Sequence, residues 1–404
     1  MKKQKISKRH KLLLIVVFAT ILLCLPCSIV GVAAGQKSAD EIEKELNNNI
    51  DEQLGGINFS GFENLIRALN SDEKNIFGGS GFKDKVAAII NGDFKIGYDN
   101  VFSAIFSLIF SSISGFLPLF AAVIGIAVLS SLLNNIRSDK SKSGSIIYYA
   151  CYSAIIIVVG CAVLSLVNSV KNSVNSMQEQ MNILFPVLLS LITALGGTAS
   201  AAVYQPMVAM LSTFVAEMMT KFILPLFIFS FVFNIIGNLS PGVKLNKFSG
   251  FTSSLSKWSI GLVFTIFTAF MTVQGITAAS YDGVSIKTAR YAVSHYIPVV
   301  GGYLSEGLNL VIAGSVLIKN AIGLSALLLL AATVIAPLIS IIVMSLGLKL
   351  TAAILEPLSD SGYSEFVSAA AKSLGMLVAV LLSVAFMYFI TLMLIISTGN
   401  QLFV

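Results

Sequence analysis

FLPLF, at Phe116–Phe120, returns as ILPLF at Ile223–Phe227 and as IAPLI at Ile335–Ile339. Each copy sits near the middle of an apolar segment of about 30 residues, at about 102–133, 207–238 and 321–349. A helix of that length is about 45 Å long, against a bilayer hydrocarbon core of about 30 Å. Each segment must therefore tilt, kink at its proline or project beyond the membrane, and none has room for a hairpin of two complete spans.

Working outward from these segments, termed A, gives eight apolar segments in the order A-B-C, A-B-C, A-B. The C segments, about 183–203 and 298–317, open with FPV at Phe185–Val187 and IPV at Ile297–Val299. Pro186 precedes Pro225 by 39 residues, and Pro298 precedes Pro337 by the same number. The B segments match less closely, FTSSLSK at Phe251–Lys257 against FVSAAAK at Phe366–Lys372. The spacing predicts an all-α polytopic membrane protein with Pro/Gly-broken helices in an internal repeat: repeat 1 at about 102–205, repeat 2 at about 206–318 and a partial repeat 3 at about 319–404. Repeats of this kind frame a central site or path in many transporters.

Composition agrees with a bilayer as solvent. Hydrophobic residues make up 56% of the chain and charged residues 11%, with a mean hydropathy of +0.87. The net charge of +6 is not a nucleic-acid signature, because six of the 26 Lys and Arg lie in MKKQKISKRHK at the N-terminus. That basic stretch, the apolar run after it and Val32-Ala33-Ala34 read as a signal peptide over 1–34, cut near Ala34. An uncleaved anchor helix is the alternative. Beyond it, Cys151 and Cys161 share one apolar segment and read as small core residues. His295 is the one remaining histidine, so neither metal nor cofactor chemistry is indicated.

Residues 35–100 are polar, with seven basic and twelve acidic residues. Ile42, Leu46, Ile50 and Leu54 keep helical spacing after the capping-box pattern Ser38-Ala39-Asp40-Glu41, and Ser60-Gly61-Phe62-Glu63 starts a second helix. Two or three short helices are expected here, joined by turns at Gly55-Gly56 and Gly78-Gly79. So small a region is expected to be extracytoplasmic and to rest on the membrane domain, 101–404, or on a partner. With this region outside, Arg137, Lys140 and Lys142 fall in the cytoplasm, as the positive-inside rule asks. Lys244, Lys247 and Lys257 fall inside only if the C segments dip in and return, which favours re-entrant or broken C segments.

The stretch HYIPVVGGYLSEGL, His295–Leu308, concentrates the candidate pathway residues. Pro298 removes a helix donor, and Gly301 and Gly302 weaken helix continuity, as Gly196 and Gly197 do in the first C segment. Exposed backbone at membrane depth is tolerated only inside protein or beside water. Ser305 and Glu306 follow, then Lys319 and Asn320 at the end of the segment. An ionisable group at such depth reads as lining a polar cavity, as forming an internal salt bridge, or as snorkelling to the interface. Glu217 and Lys221, four residues apart, read as a mutually neutralising helical pair. Lys287, Arg290 and His295 belong to a polar linker, 281–295, that reads as an interfacial helix. No HExxH, P-loop or GxSxG motif occurs, so an enzyme is not expected.

The run Asp282–Gly323, DGVSIKTARYAVSHYIPVVGGYLSEGLNLVIAGSVLIKNAIG, resembles the stage III sporulation protein AE family, chiefly at Asp282, Gly283, Lys287, Pro298, Gly301, Gly302, Ser305, Lys319, Asn320 and Gly323. The resemblance extends to the plan of signal peptide, polar region and polytopic domain. It implies a channel or export-gate component of the secretion apparatus between mother cell and forespore, in the mother-cell membrane around the forespore. Its implied partners are a secretion-type ATPase, ring-forming proteins and small membrane proteins; a homo-oligomer is compatible. The residues alone leave two other readings open, an autonomous secondary transporter and a non-conducting scaffold.

Overall fold

The computed structural model describes residues 39–94, 98–136, 143–239, 245–296, 301–358 and 361–398, all helices and short connections. The chain divides inside its first described helix, α1 (Ala39–Gly55): residues before Leu46 form one unit and Leu46–Val404 another. Of the first unit only Ala39–Glu45 are described, as the opening turns of α1; the signal-peptide reading of 1–34 lies outside the described residues.

Four short helices precede the membrane segments, where two or three were expected: α1, α2 (Ser60–Ala68), α3 (Ser71–Phe77) and α4 (Phe82–Ile90). The extra one arises because the chain turns extended at Leu69 and Asn70 and restarts as α3, while Gly78, at φ 99°, ends α3 at an expected turn in the left-handed conformation that glycine adopts without penalty. Asn70 and Glu73 close a reciprocal capping box at the start of α3. Glu63 caps across space, accepting from the Phe82 amide at 2.9 Å at the start of α4. The rings of Phe62 and Phe82 stack at 4.1 Å between them.

The membrane segments form α5 (Tyr98–Ile136), α6 (Ser143–Ala194), α7 (Thr198–Glu217), a π-helical turn (Met218–Ile223), α8 (Leu224–Leu239), α9 (Asn246–Tyr296), α10 (Gly301–Leu355), α11 (Ser361–Ser373) and α12 (Gly375–Ser397). Among the described residues, six stretches are long and apolar enough to cross a membrane: Val101–Leu133, Ile146–Ala194, Ser200–Gly237, Lys247–Val273, Asn309–Leu355 and Gly362–Ser397. The eight expected segments become six because the first C segment begins within α6 and the second runs on into α10. Pro118, Pro186 and Pro337 all lie inside continuous helices, contrary to the expected breaks. A proline removes one donor, and neighbouring helices in an apolar bundle hold the backbone around it. Pro225 is different. It leaves the Lys221 carbonyl without its usual amide, and the π-helical turn ends there, with the Leu224 amide reaching back to Met219.

The polar linker 281–295, expected as an interfacial helix, is helical as the continuation of α9, which runs unbroken for 51 residues. Isolated glycines such as Gly275 and Gly283 weaken a helix by only about 1 kcal/mol each and do not end it.

Contacts sort the helix ends into two poles. At one, Tyr363 donates to the Tyr148 carbonyl at 3.2 Å and lies 2.7 Å from the Ser130 hydroxyl. The end of α5 and the starts of α6 and α11 meet at this pole. The Tyr363 helix, α11, packs on α8, and Ser230 on α8 bonds the Ser249 carbonyl on α9 at 3.0 Å, so α8 and the start of α9 meet beside α11. At the other pole α1–α4 rest on α6 and α10: Gln53 bonds the Val311 carbonyl and accepts from Ser315. Here α6 ends at Ala194, Gly196 turns the chain at φ 88°, and α7 runs back along α6. The first C segment is thus the tip of a helical hairpin.

Candidate functional site

Lys319, Asn320 and Gly323 come together where α10 crosses the end of α12. Lys319 is fully enclosed, and its ammonium donates to the carbonyl of Thr398, the C-cap residue of α12. A cation there meets the negative end of the helix dipole and a carbonyl that the helix leaves unpaired. One turn on, a Cβ on Gly323 would collide with Ile396, so only glycine lets the two helices approach this closely. The Asn320 side-chain oxygen is buried beside this contact and has no hydrogen-bond partner among the described residues. The arrangement fastens two helices, and its polar groups converge on packing.

Glu217 and Lys221 form an ion pair at 2.6 Å at the π-helical turn, with both side chains exposed. Gly196 and Gly197 form the hairpin turn, with the Gly197 amide bonded to the Ile192 carbonyl at 2.9 Å. These two groups and the Lys319 cluster are on separate parts of the bundle. Pro298 lies outside the described residues. Gly301, Gly302, Ser305 and Glu306 occupy the first turns of α10, and Lys287, Arg290 and His295 the last turns of α9; their side chains lie outside the described residues. Gly301 and Gly302 open a helix, where an interruption within a span was expected.

Pro186, the repeat's counterpart of Pro298, is inside α6.

The bundle interior holds polar ties that sequence reasoning missed. Gln180 on α6 donates to Thr333 on α10 at 2.7 Å, and both are buried. Tyr388 on α12 donates to the Ser212 carbonyl on α7 at 3.1 Å. Tyr148, Tyr152 and Tyr363 gather at the opposite pole with ring centroids 5.0–5.9 Å apart. The i, i+4 spacing of Tyr148 and Tyr152 was the available signal, but nothing local joins them to Tyr363. Between Phe62, Met177, Gln180, Leu184, Leu329 and Leu392 lies a cavity of about 10 Å³, room for about one water molecule. Among the described residues no group of three or more His, Cys, Asp or Glu is placed to hold a metal.

The family model described as Stage III sporulation protein AE matches residues 80–399 of this chain. The stage III sporulation protein AE of Bacillus subtilis (strain 168) is 25% identical over 320 residues, which cover 79% of this chain and 80% of that protein. No solved structure matches.

Proposed function

The chain belongs to the stage III sporulation protein AE family, and from that membership and the packing of its helices we propose that it is a channel or export-gate subunit of the apparatus joining mother cell and forespore. Family membership ties it to stage III of sporulation in an endospore-forming bacterium, as a multi-pass membrane protein. The finer reading rests on one observation. Among the described residues, the cavity beneath the N-terminal helices holds about one water, whereas a small-molecule site needs roughly 300 Å³ or more. Close packing of the described spans supports a path between subunits, or between this chain and its partners, over an autonomous carrier with a site inside them.

The same reading sets the orientation. The end of α5, the start of α6 and the start of α9 with Lys247 are assigned to the Tyr363 pole, and the sequence between these helices carries Arg137, Lys140, Lys142 and Lys244, so the positive-inside rule puts this pole in the mother-cell cytoplasm. The N-terminal helices then face the space between the two membranes, where ring-forming partners would meet them, and a secretion-type ATPase would act at the opposite face.

Deleting the chain from sporulating cells, while following both ring assembly and late forespore-specific transcription, separates the readings. A gate subunit predicts lost transcription with rings still formed. Loss of both points to a scaffold, and solute uptake by the purified chain alone in vesicles points to a carrier.

A further inference from the structure

Between Leu164 and Met210, among the described residues, no large hydrophobic side chain is exposed, although α6 and α7 there count as apolar by composition. Before that point α6 presents Ile146, Tyr149, Ile157 and Leu164 outward. After it the exposed positions include Asn168, Lys171, Asn175, Glu179, Asn182 and Ser190, while the Leu, Ile, Val and Met side chains are enclosed or half-buried. A surface in hydrocarbon shows large apolar side chains, and a surface in water encloses them. Ile146 to Leu164 measures about 27 Å along the helix, close to the roughly 30 Å of a hydrocarbon core.

On α7 the exposed side chains change character at the same height. Gln178 bonds Thr213 across the hairpin at 3.3 Å, an antiparallel register that sets Lys171 level with Lys221. The exposed Glu217–Lys221 pair lies just above the outward-facing Phe222, Phe229 and Val232. Phe214, about 10 Å along the helix from Lys221, stays within the headgroup layer. Met210 is then a single exposed apolar residue, which is ordinary on a wet surface. On α10, Thr333 is bonded to Gln180 and so lies nine residues above Lys171, and the N-terminal helices contact α10 higher still, at Val311 and Ser315.

We propose that the band formed by Asn168, Lys171, Asn175, Glu217 and Lys221 contacts the phospholipid headgroups of the extracytoplasmic leaflet, and that α6 beyond Lys171, with α7, stands out of the bilayer as an aqueous hairpin about 35 Å tall. The ammonium groups meet lipid phosphate and the amides meet ester and phosphate oxygens. A hairpin buried in the membrane would instead put Lys171, Glu179 and four or more amide or hydroxyl side chains in hydrocarbon, where charged side chains are rare and costly. The choice of leaflet rests on the orientation proposed above; the depth of the band does not.

Depth quenching on the full chain tests this. Single cysteines at Ile157, Asn175, Ser190 and Ala202, in a protein lacking the four native cysteines, carry a fluorophore in phosphatidylglycerol–phosphatidylethanolamine vesicles. Nitroxides on the acyl chain or the headgroup, or iodide on both faces, serve as quenchers. The expected result is acyl-chain quenching at 157, headgroup quenching at 175, and iodide quenching alone at 190 and 202. Acyl-chain quenching at 190 or 202 would overturn the proposal in favour of a re-entrant hairpin. Shielding of 175 from every quencher would overturn it in favour of a second copy of the chain covering the band. Thr193 lies on the same exposed face and replaces Ser190 if that variant does not fold.

Discussion

Lys319 and Lys85 are both buried lysines, and each is held by a carbonyl at a helix end. Lys319 closes the end of α12, and Lys319→Ala is expected to leave the Thr398 carbonyl without this donor and open a cavity. The loss should be about 1.5–3 kcal/mol for a hydrogen bond to a charged group, plus the cavity term. Thermal unfolding of the detergent-solubilised protein would show a lower midpoint, with Lys319→Met intermediate because it keeps the volume. Lys85 donates to the Phe77 carbonyl at the end of α3, with its ammonium 4.4 Å from the centre of the Phe77 ring. Burial holds its pKa below the ordinary 10.5. From the folded-state pKa up to 10.5 the unfolded chain binds the proton that the folded chain has released. Stability of the N-terminal helices should therefore rise with pH across that window and show no gain below it. Hydrogen exchange of α3 and α4 across this pH range should register that slope, and Lys85→Met should abolish it. At this scale the sequence marks Lys319 as unusual in an apolar segment, but its partner is 79 residues away and no local pattern points there.

The helices owe their close crossings to glycine. Phe120 of α5 lies where a Cβ on Gly347 of α10 would be, and Ser112 and Ser340 meet at 3.3 Å two turns away. Gly347→Leu should push the two helices apart and lower the unfolding midpoint, whereas Phe120→Ala in the same chain should recover much of the loss. A double-mutant cycle measures that coupling. At the hairpin, Gly196→Val places a β-branched residue at positive φ and should cost at least 1–2 kcal/mol, with Gly196→Asn milder. Proteolysis at the 195–197 turn would report it. Element type was legible from composition, but element ends were not. The polar run from Asn168 to Asn182 looks like a break between two apolar segments. Its exposed residues recur at helical spacing, so they decorate one face of a continuous helix. Prolines misled in the same way: Pro186 sits in an unbroken helix, and the chain turns ten residues later at Gly196.

The whole molecule is a bundle in which the N-terminal helices, the α6–α7 turn and the end of α12 share one pole. Six candidate spans account for that, because an even number returns the chain to the side where it began. The membrane character and the polar region resting on the bundle could be read from residue pattern alone. The height of the bilayer along helices of 51 to 55 residues could not, since composition averages over exposed and enclosed side chains alike. The measurement that bears most directly on this architecture is sidedness. Single cysteines at Ser71, Ala202 and Lys247 would be treated with a membrane-impermeant thiol reagent on intact and on permeabilised cells. Six spans with a hairpin predict that 71 and 202 react in intact cells exposing the extracytoplasmic face, while 247 reacts only after permeabilisation. Reaction of 71 and 247 on the same side would mean that the first C segment crosses the membrane, and would contradict the architecture.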